Sequence, residues 1–247
     1  MIIDVHAHLG EDFVFDEVQD EEMLLNVYAE SGIDKVVLQP FICRPYIEDT
    51  RAAHDRVAAL CKKQGSTAFY GMASINPHFR PDDYKREAER CIKELGFVAI
   101  KIATSAHGIH PSSRDGMHVF ETARALGVPI MIHTGLGLPF ADPAAAWRAI
   151  EAFPDVKTVL AHTGSNICQE QAVMLAKRYN NVYLEPSWMP SVSIAAMVNA
   201  VGPQKVMFSS DLVGNVKPAI FAFRQAITDE RHLDQVMWKT ASSVFGI

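Results

Sequence analysis

Five positions in this 247-residue chain place a metal-ligating side chain after an apolar run, and a sixth places an amine in the same kind of setting. His6 and His8 follow Ile3-Asp4-Val5, Lys101 follows Val98-Ala99-Ile100, His133 follows Ile130-Met131-Ile132, His162 follows Val159-Leu160-Ala161, and Asp211 comes after Val206-Met207-Phe208. One histidine ending a strand is ordinarily a hydrogen-bonded core or loop residue, and an H-x-H pair by itself is common. Four imidazoles and a carboxylate gathered in a dry cleft are different, because their desolvation is unfavourable unless a cation compensates them. A divalent metal does that. Imidazole plus carboxylate suits zinc first, and also manganese, iron or nickel. Such an ion lowers the pKa of a bound water towards about 7 and polarises an electrophile. Asp211 is suited to take the water's proton and return it to a leaving group, so hydrolysis is the expected reaction.

These side chains can meet only if strands bring them together. Residues two apart on a strand share a face, so His6 and His8 point the same way if Ile2 to His8 is a strand. Further short β-branched runs predict strands over Lys35 to Pro40, Ala68 to Ser74, Phe97 to Ala103, Val128 to His133, Val156 to His162, Val182 to Pro186 and Lys205 to Asp211. Between them, helical periodicity covers Asp20 to Ser31, Glu48 to Gln64, Pro81 to Leu95, Arg114 to Leu126, Asp142 to Phe153, Asn166 to Arg178, Ser191 to Val201 and Val216 to Ile227. Eight units in 247 residues give about 31 residues each, close to the roughly 30 that a βα unit needs. The predicted fold is therefore α/β, a single (β/α)8 TIM-type barrel spanning 1–247, with a closing helix from about Leu233 to Phe245. An open doubly wound sheet is the competing architecture. It ordinarily carries a glycine-rich phosphate turn after its first strand, where this chain reads His6-Ala7-His8-Leu9-Gly10. In a barrel, the strand carboxyl ends form the active site, which is where all six candidates fall.

Composition narrows the function class. With 29 acidic against 23 basic side chains, the formal charge is -6, and no basic tract offers a footprint for nucleic acid or anionic lipid. Apolar runs such as Ala219 to Phe223 are far shorter than a bilayer span. Cys43, Cys61, Cys91 and Cys168 are widely spaced with no C-x-x-C pair, which predicts reduced thiols. The first residues lack a basic and apolar leader pattern, so a cytoplasmic protein with a small-molecule substrate is expected. A homodimer is the commonest symmetric assembly for such enzymes.

The ordered set His6-x-His8, Lys101, His133, His162 and Asp211 resembles the metal-dependent amidohydrolase superfamily, more narrowly its amidohydrolase 2, or amidohydrolase-related, branch. Ile3-Asp4-Val5-His6-Ala7-His8, Ile132-His133-Thr134-Gly135, Ala161-His162-Thr163-Gly164, Ser209-Ser210-Asp211 and the ending Ala241 to Ile247 carry the narrower resemblance. It implies that His6, His8 and Asp211 bind the first metal, joined by His133 in mononuclear members, with His162 as a second-metal ligand or a catalytic histidine. In some relatives a lysine matching Lys101 is carboxylated and bridges two ions. The resemblance thus leaves one or two metals open, two if Lys101 is a carbamate. Free, Lys101 would hold a substrate carboxylate or oxyanion, or pair with a buried acid such as Glu185. Where the branch often reads Ile-Lys-Leu-His-Pro, Ala103 replaces the histidine.

Between the predicted strands and helices the loops are short, which argues for a small substrate. Arg44, after the second strand, is the leading anchor for an anionic substrate; His78, His107, His110, Glu185 and Trp188 are weaker candidates. The expected activity is cleavage of a lactone, amide or ester bond of a small, carboxylated molecule. The alternative is a decarboxylase acting on an aromatic or semialdehyde acid, as the resemblance implies for some members. A non-catalytic binding barrel is a third class, disfavoured because every expected ligand is intact.

Overall fold

The computed structural model describes residues 1–63, 65–135 and 137–247; the predicted helix end at Gln64 lies outside them. The strands are β1 (Ile3–Glu11), β2 (Val18–Gln19), β3 (Lys35–Pro40), β4 (Ala68–Ser74), β5 (Ala99–Ile102), β6 (Ile130–His133), β7 (Thr158–Ala161) and β8 (Val182–Glu185). The helices are α1 (Glu21–Ser31), α2 (Ile47–Cys61), α3 (Pro81–Lys93), α4 (Thr104–His107), α5 (Arg114–Leu126), α6 (Trp147–Ala152), α7 (Ser165–Arg178), α8 (Ser191–Val201), α9 (Val216–Ala226), α10 (Glu230–Asp234) and α11 (Thr240–Phe245). One curled sheet runs in the order β2-β1-β3-β4-β5-β6-β7-β8, parallel throughout except for the short antiparallel β1–β2 hairpin.

The count of eight is met differently from expectation. The unpredicted β2 supplies one strand, and the predicted strand Lys205 to Asp211 is present only as two isolated bridges, Leu184 to Val206 and Ala7 to Asp211. Its backbone donors explain why. Met207 N–H reaches Leu184 O, but Phe208 N–H goes to Val236 O and Ser210 N–H goes to the Asp4 carboxylate. A segment whose amides are shared among a strand, a helix and a side chain cannot form a continuous ladder. The predicted helix Asp142 to Phe153 likewise begins as a 3-10 turn, Pro143–Ala146, before α6. The closing helix is divided by a π-helical turn at Gln235–Lys239.

The inner face of the sheet is layered. Ile3, Val5, Val37, Met72, Ala99, Met131, Val159 and Met207 pack with Ala241, Val244 and Phe245, so α11 plugs the floor. Two residues further along four of these strands come Gln39, Ser74, Lys101 and His133, the polar layer above the apolar one. The other face packs under the helices, with Leu38, Ile100, Ile132 and Leu184 in the larger core. β1 obeys this scheme only through a bulge. Its register to β3 shifts between Asp4 and Ala7, one residue more on β1 than on β3. The extra residue flips the parity, so that Ile3 and Val5 face inward before it and Ala7 and Leu9 join the outer core after it. His6 and His8 thereby face inward above Val5.

Candidate metal centre

Above the apolar layer the imidazoles converge. His6 Nε2 lies 3.1 Å from His8 Nε2, 3.3 Å from Asp211 Oδ1 and 2.8 Å from Lys101 Nζ, and His8 Nε2 lies 3.1 Å from Asp211 Oδ1. Beside them, His162 Nε2 is 3.2 Å from His133 Nδ1. Donors bound to one ion at about 2.1 Å stand about 3.0–3.4 Å apart, so the His6, His8 and Asp211 contacts have the edge lengths of a coordination polyhedron. Donor atoms of His6, His162 and Asp211 also lie within 4.8 Å of one another.

Several features orient lone pairs towards the cluster. His6 Nδ1 faces Glu185 Oε2 at 3.5 Å, and His162 Nδ1 faces Ser187 Oγ at 2.7 Å; a proton on each Nδ1 leaves each Nε2 free to ligate. Burial, with the charge of Lys101 second, holds His6 well below the usual imidazole range; burial and His162 do the same for His133. Burial also lowers His162, to about 4. Asp211 is well below the carboxylate range even though burial opposes this, because its imidazole neighbours His6 and His162 and the hydrogen bond with His8 together favour the ionised form. Neutral imidazoles and an ionised carboxylate are the states that metal ligands need. Among the described residues, His133 Nε2 is buried without a partner, as is His8 Nδ1. The donor set therefore fits a divalent ion.

Asp4 braces the two ligand-bearing segments. Its fully buried carboxylate accepts from His6 N–H at 3.1 Å, Ser210 N–H at 3.0 Å, Tyr28 Oη at 2.9 Å and the Ser210 hydroxyl. Burial raises its pKa to about 6 against these bonds. The cost of burying it is met by fixing the backbone on either side of the cluster. The segments after β7 and β8 and the end of the Val206–Asp211 segment are unusual: His162, Thr163, Ser165, Trp188 and Asp211 all have positive φ without being glycine. Strain of this kind gathers at functional sites.

A cavity of about 450 Å³ opens over the cluster, with His8, Lys101, His133, His162 and Asp211 in its floor and Phe15, Phe41, Ile42, Trp188 and Leu212 in its walls. Phe41 stacks on His8 with ring centres 4.5 Å apart. Lys101 is 2% exposed and, among the described residues, makes no ion pair with Glu185. Burial depresses its amine to about 8, which leaves it protonated at neutral pH, and raises the Glu185 carboxyl.

The structure thus gathers His6, His8, Lys101, His133, His162 and Asp211. It does not bring Arg44 to them: that side chain lines a separate cavity with Phe13, its guanidinium carbon 4.6 Å from the ring centre. His78 pairs with Asp115 at 2.8 Å on the surface, and His107 and His110 are absent from the cavity lining. Trp188 lines the cavity, whereas Glu185 is not in its lining and faces His6 Nδ1. Gln39, whose Nε2 lies 3.1 Å from His8 Nε2, was missed. Its signal was a lone amide ending the run Val36-Val37-Leu38.

The sequence pattern of the amidohydrolase family (Amidohydro_2) matches residues 3–247. A gamma-resorcylate decarboxylase from a Polaromonas species is 34% identical over 102 residues, covering 37% of this chain and 29% of that protein. The chain therefore matches well under half the length of this curated relative. By structure it is similar to 2,6-dihydroxybenzoate decarboxylase from Rhizobium, at 17% identity and a TM-score of 0.79, covering 99% of this chain and 98% of the other. It is also similar to 5-carboxyvanillate decarboxylase from Novosphingobium aromaticivorans, complexed with manganese and a nitrobenzoic acid, at 16% identity and a TM-score of 0.80, covering 100% and 96%.

These relatives overturn the expectation of lactone, amide or ester hydrolysis, since they are decarboxylases. The physical reason for the misreading is that the same donor set polarises a substrate whether the bond broken is carbon–heteroatom or carbon–carbon. The ligands do not encode that choice. With the family pattern running from the strand that carries His6 and His8 to the last helix, the chain belongs to the amidohydrolase family.

Proposed function

We propose that this protein is a metal-dependent decarboxylase of a small carboxylated phenol. The observation that carries the reading is the cavity: aromatic and aliphatic walls stand over a floor of imidazoles in which Lys101 is the one cationic Lys or Arg side chain among the described lining residues. His6, His8 and Asp211 would hold the ion, with His133 and His162 beside them, and the ion would supply Lewis acidity towards the oxygens of the substrate. Manganese, which a structural relative carries, is the ion to test before zinc. A free Lys101 would go with a single ion and a carboxylated one with two, so the metal count reads out its state.

The residues then divide the work. Lys101 pairs with the charge of the incoming acid, and the ring lies against Phe15, Phe41 and Trp188. Apolar walls disfavour a carboxylate relative to neutral carbon dioxide, which helps the bond to break. Asp211 Oδ2, the oxygen turned away from the imidazoles, receives the phenolic proton. It returns that proton to the ring carbon as carbon dioxide leaves, so the product is the phenolate with hydrogen where the carboxylate stood. Cys43 and Arg44 lie in the other cavity and take no part.

The same reading treats the sheet as a (β/α)8 barrel closed by the Val206–Asp211 segment. Its support is the backbone bonding on both sides, Met207 N–H to Leu184 O at 3.0 Å and Asp211 N–H to His6 O at 2.8 Å.

The test is incubation of the manganese-loaded protein with 2,6-dihydroxybenzoate and 5-carboxyvanillate in deuterated water. Release of carbon dioxide with one deuterium at the vacated ring carbon is expected. Absence of carbon dioxide from both acids, with metal bound, would refute the reading.

A further inference from the structure

Trp188 occupies a backbone position that suits glycine. Met189 N–H returns to Pro186 O at 3.3 Å, so Pro186 to Met189 form a turn, and Trp188, its third residue, has φ 64°. That position of a turn selects residues that tolerate positive φ, above all glycine, and a large aromatic there is strained. The indole is also 53% exposed, so burial alone does not account for it. Among the described residues its side chain makes one hydrogen bond. Trp188 Nε1–H donates to Asp211 Oδ2 at 2.7 Å, and Asp211 is itself strained at φ 73°. The other oxygen, Oδ1, is the one within 3.3 Å of His6 and 3.1 Å of His8.

We infer that Trp188 is a positioning residue for the metal: its indole N–H fixes the rotation of the Asp211 carboxylate, so that Oδ1 points to the imidazoles. This rests on the metal reading above. A carboxylate left free to rotate presents either oxygen and loses part of its pre-organisation, and outer partners of metal ligands are worth about 10–100-fold in affinity. The indole also forms a shared wall between the main cavity and an apolar cavity of about 340 Å³ against Met189, Ile194 and Phe223. Phenylalanine would keep that wall and remove only the donor.

The experiment compares manganese affinity by calorimetry for the wild type and Trp188→Phe, with thermal unfolding of both in excess chelator. A fall in affinity of about tenfold or more, with the chelated midpoints equal, is the expected result. The cobalt-loaded proteins should also differ in their visible spectra, because the carboxylate geometry at the ion changes. Affinities within twofold and superimposable cobalt spectra would overturn the inference. So would a loss of affinity matched by an equal loss of stability without metal, which would mark Trp188 as structural. If the wild type itself binds no manganese or cobalt, the metal reading fails and this inference falls with it.

Discussion

Lys101 Nζ stands 2.8 Å from His6 Nε2, inside the ring of candidate metal donors and not behind it. A buried amine there competes with a cation for the same lone pair unless it gives up its proton or turns to the substrate. Burial, which depresses its pKa, makes loss of the proton easier.

Replacing this side chain separates its roles. Lys101→Met is expected to bind one ion per chain, like the wild type, while turnover of a carboxylated phenol falls about 100-fold or more. Metal content by elemental analysis together with kcat checks it. Two ions in the wild type and one in the variant would show that Lys101 bridges a metal pair.

Metal removal should be visible in stability as well as activity. At a free concentration 100 times its Kd, an ion stabilises the fold by about 2.7 kcal/mol, or about 5–10 °C in Tm for a chain of this size. Thermal unfolding with manganese and with chelator measures the difference. The His6→Ala, His8→Ala double variant should lose most of it.

Asp4 has a different weight, since it touches the cluster only through backbone and the Tyr28 and Ser210 hydroxyls. Asp4→Ala strands several buried donors and should cost about 3–5 kcal/mol in urea unfolding in the presence of chelator. Manganese affinity should fall as well, because both Asp211 and His6 are released. A variant as stable as the wild type would show that the brace is dispensable.

Acid stability should reveal a second buried carboxylate. Glu87 is pushed up by burial, yet the bonds from His54 and Arg90 more than reverse this and hold it at about 2, against an ordinary 4.5. Its folded pKa is thus depressed. The stability it contributes is fully present above about pH 4.5 and is lost as the pH falls towards 2. Glu87→Gln should cost about 3 kcal/mol at neutral pH and flatten the loss between those limits, measured by urea midpoints against pH. Because His54 Nε2 accepts from Ser74 N–H at 3.1 Å, the variant should also loosen the rim of the cavity at β4.

Several features were legible before any coordinates. Lys35–Pro40, Ala68–Ser74, Arg114–Leu126 and Ser191–Val201 fold over the spans their patterns predict, because apolar runs, turn residues and helical periodicity act locally. The ordered set of polar side chains that the fold gathers was legible for a related reason. A polar side chain ending a buried run has few explanations, and several of them in succession have fewer.

What tertiary structure decided lies where distant segments share partners. Nothing in Val206 to Asp211 says that the amides of Met207, Phe208, Ser210 and Asp211 go to Leu184, Val236, Asp4 and His6 in turn, so the sequence reads as one more strand. The bulge in β1 is similarly silent: strict alternation would place Val5 and His6 on opposite faces, and only the register against β3 puts both inside. Arg44 follows its strand as an anchor would, yet the β1–β2 turn carries Phe13 beside it and the side chain faces another cavity. Sequence by itself determined the donor types and their order, because chemistry belongs to side chains. Which oxygen of Asp211 meets the imidazoles, and which aromatic rings wall the cavity, depend on contacts between residues far apart in the chain, and only the fold brings those together.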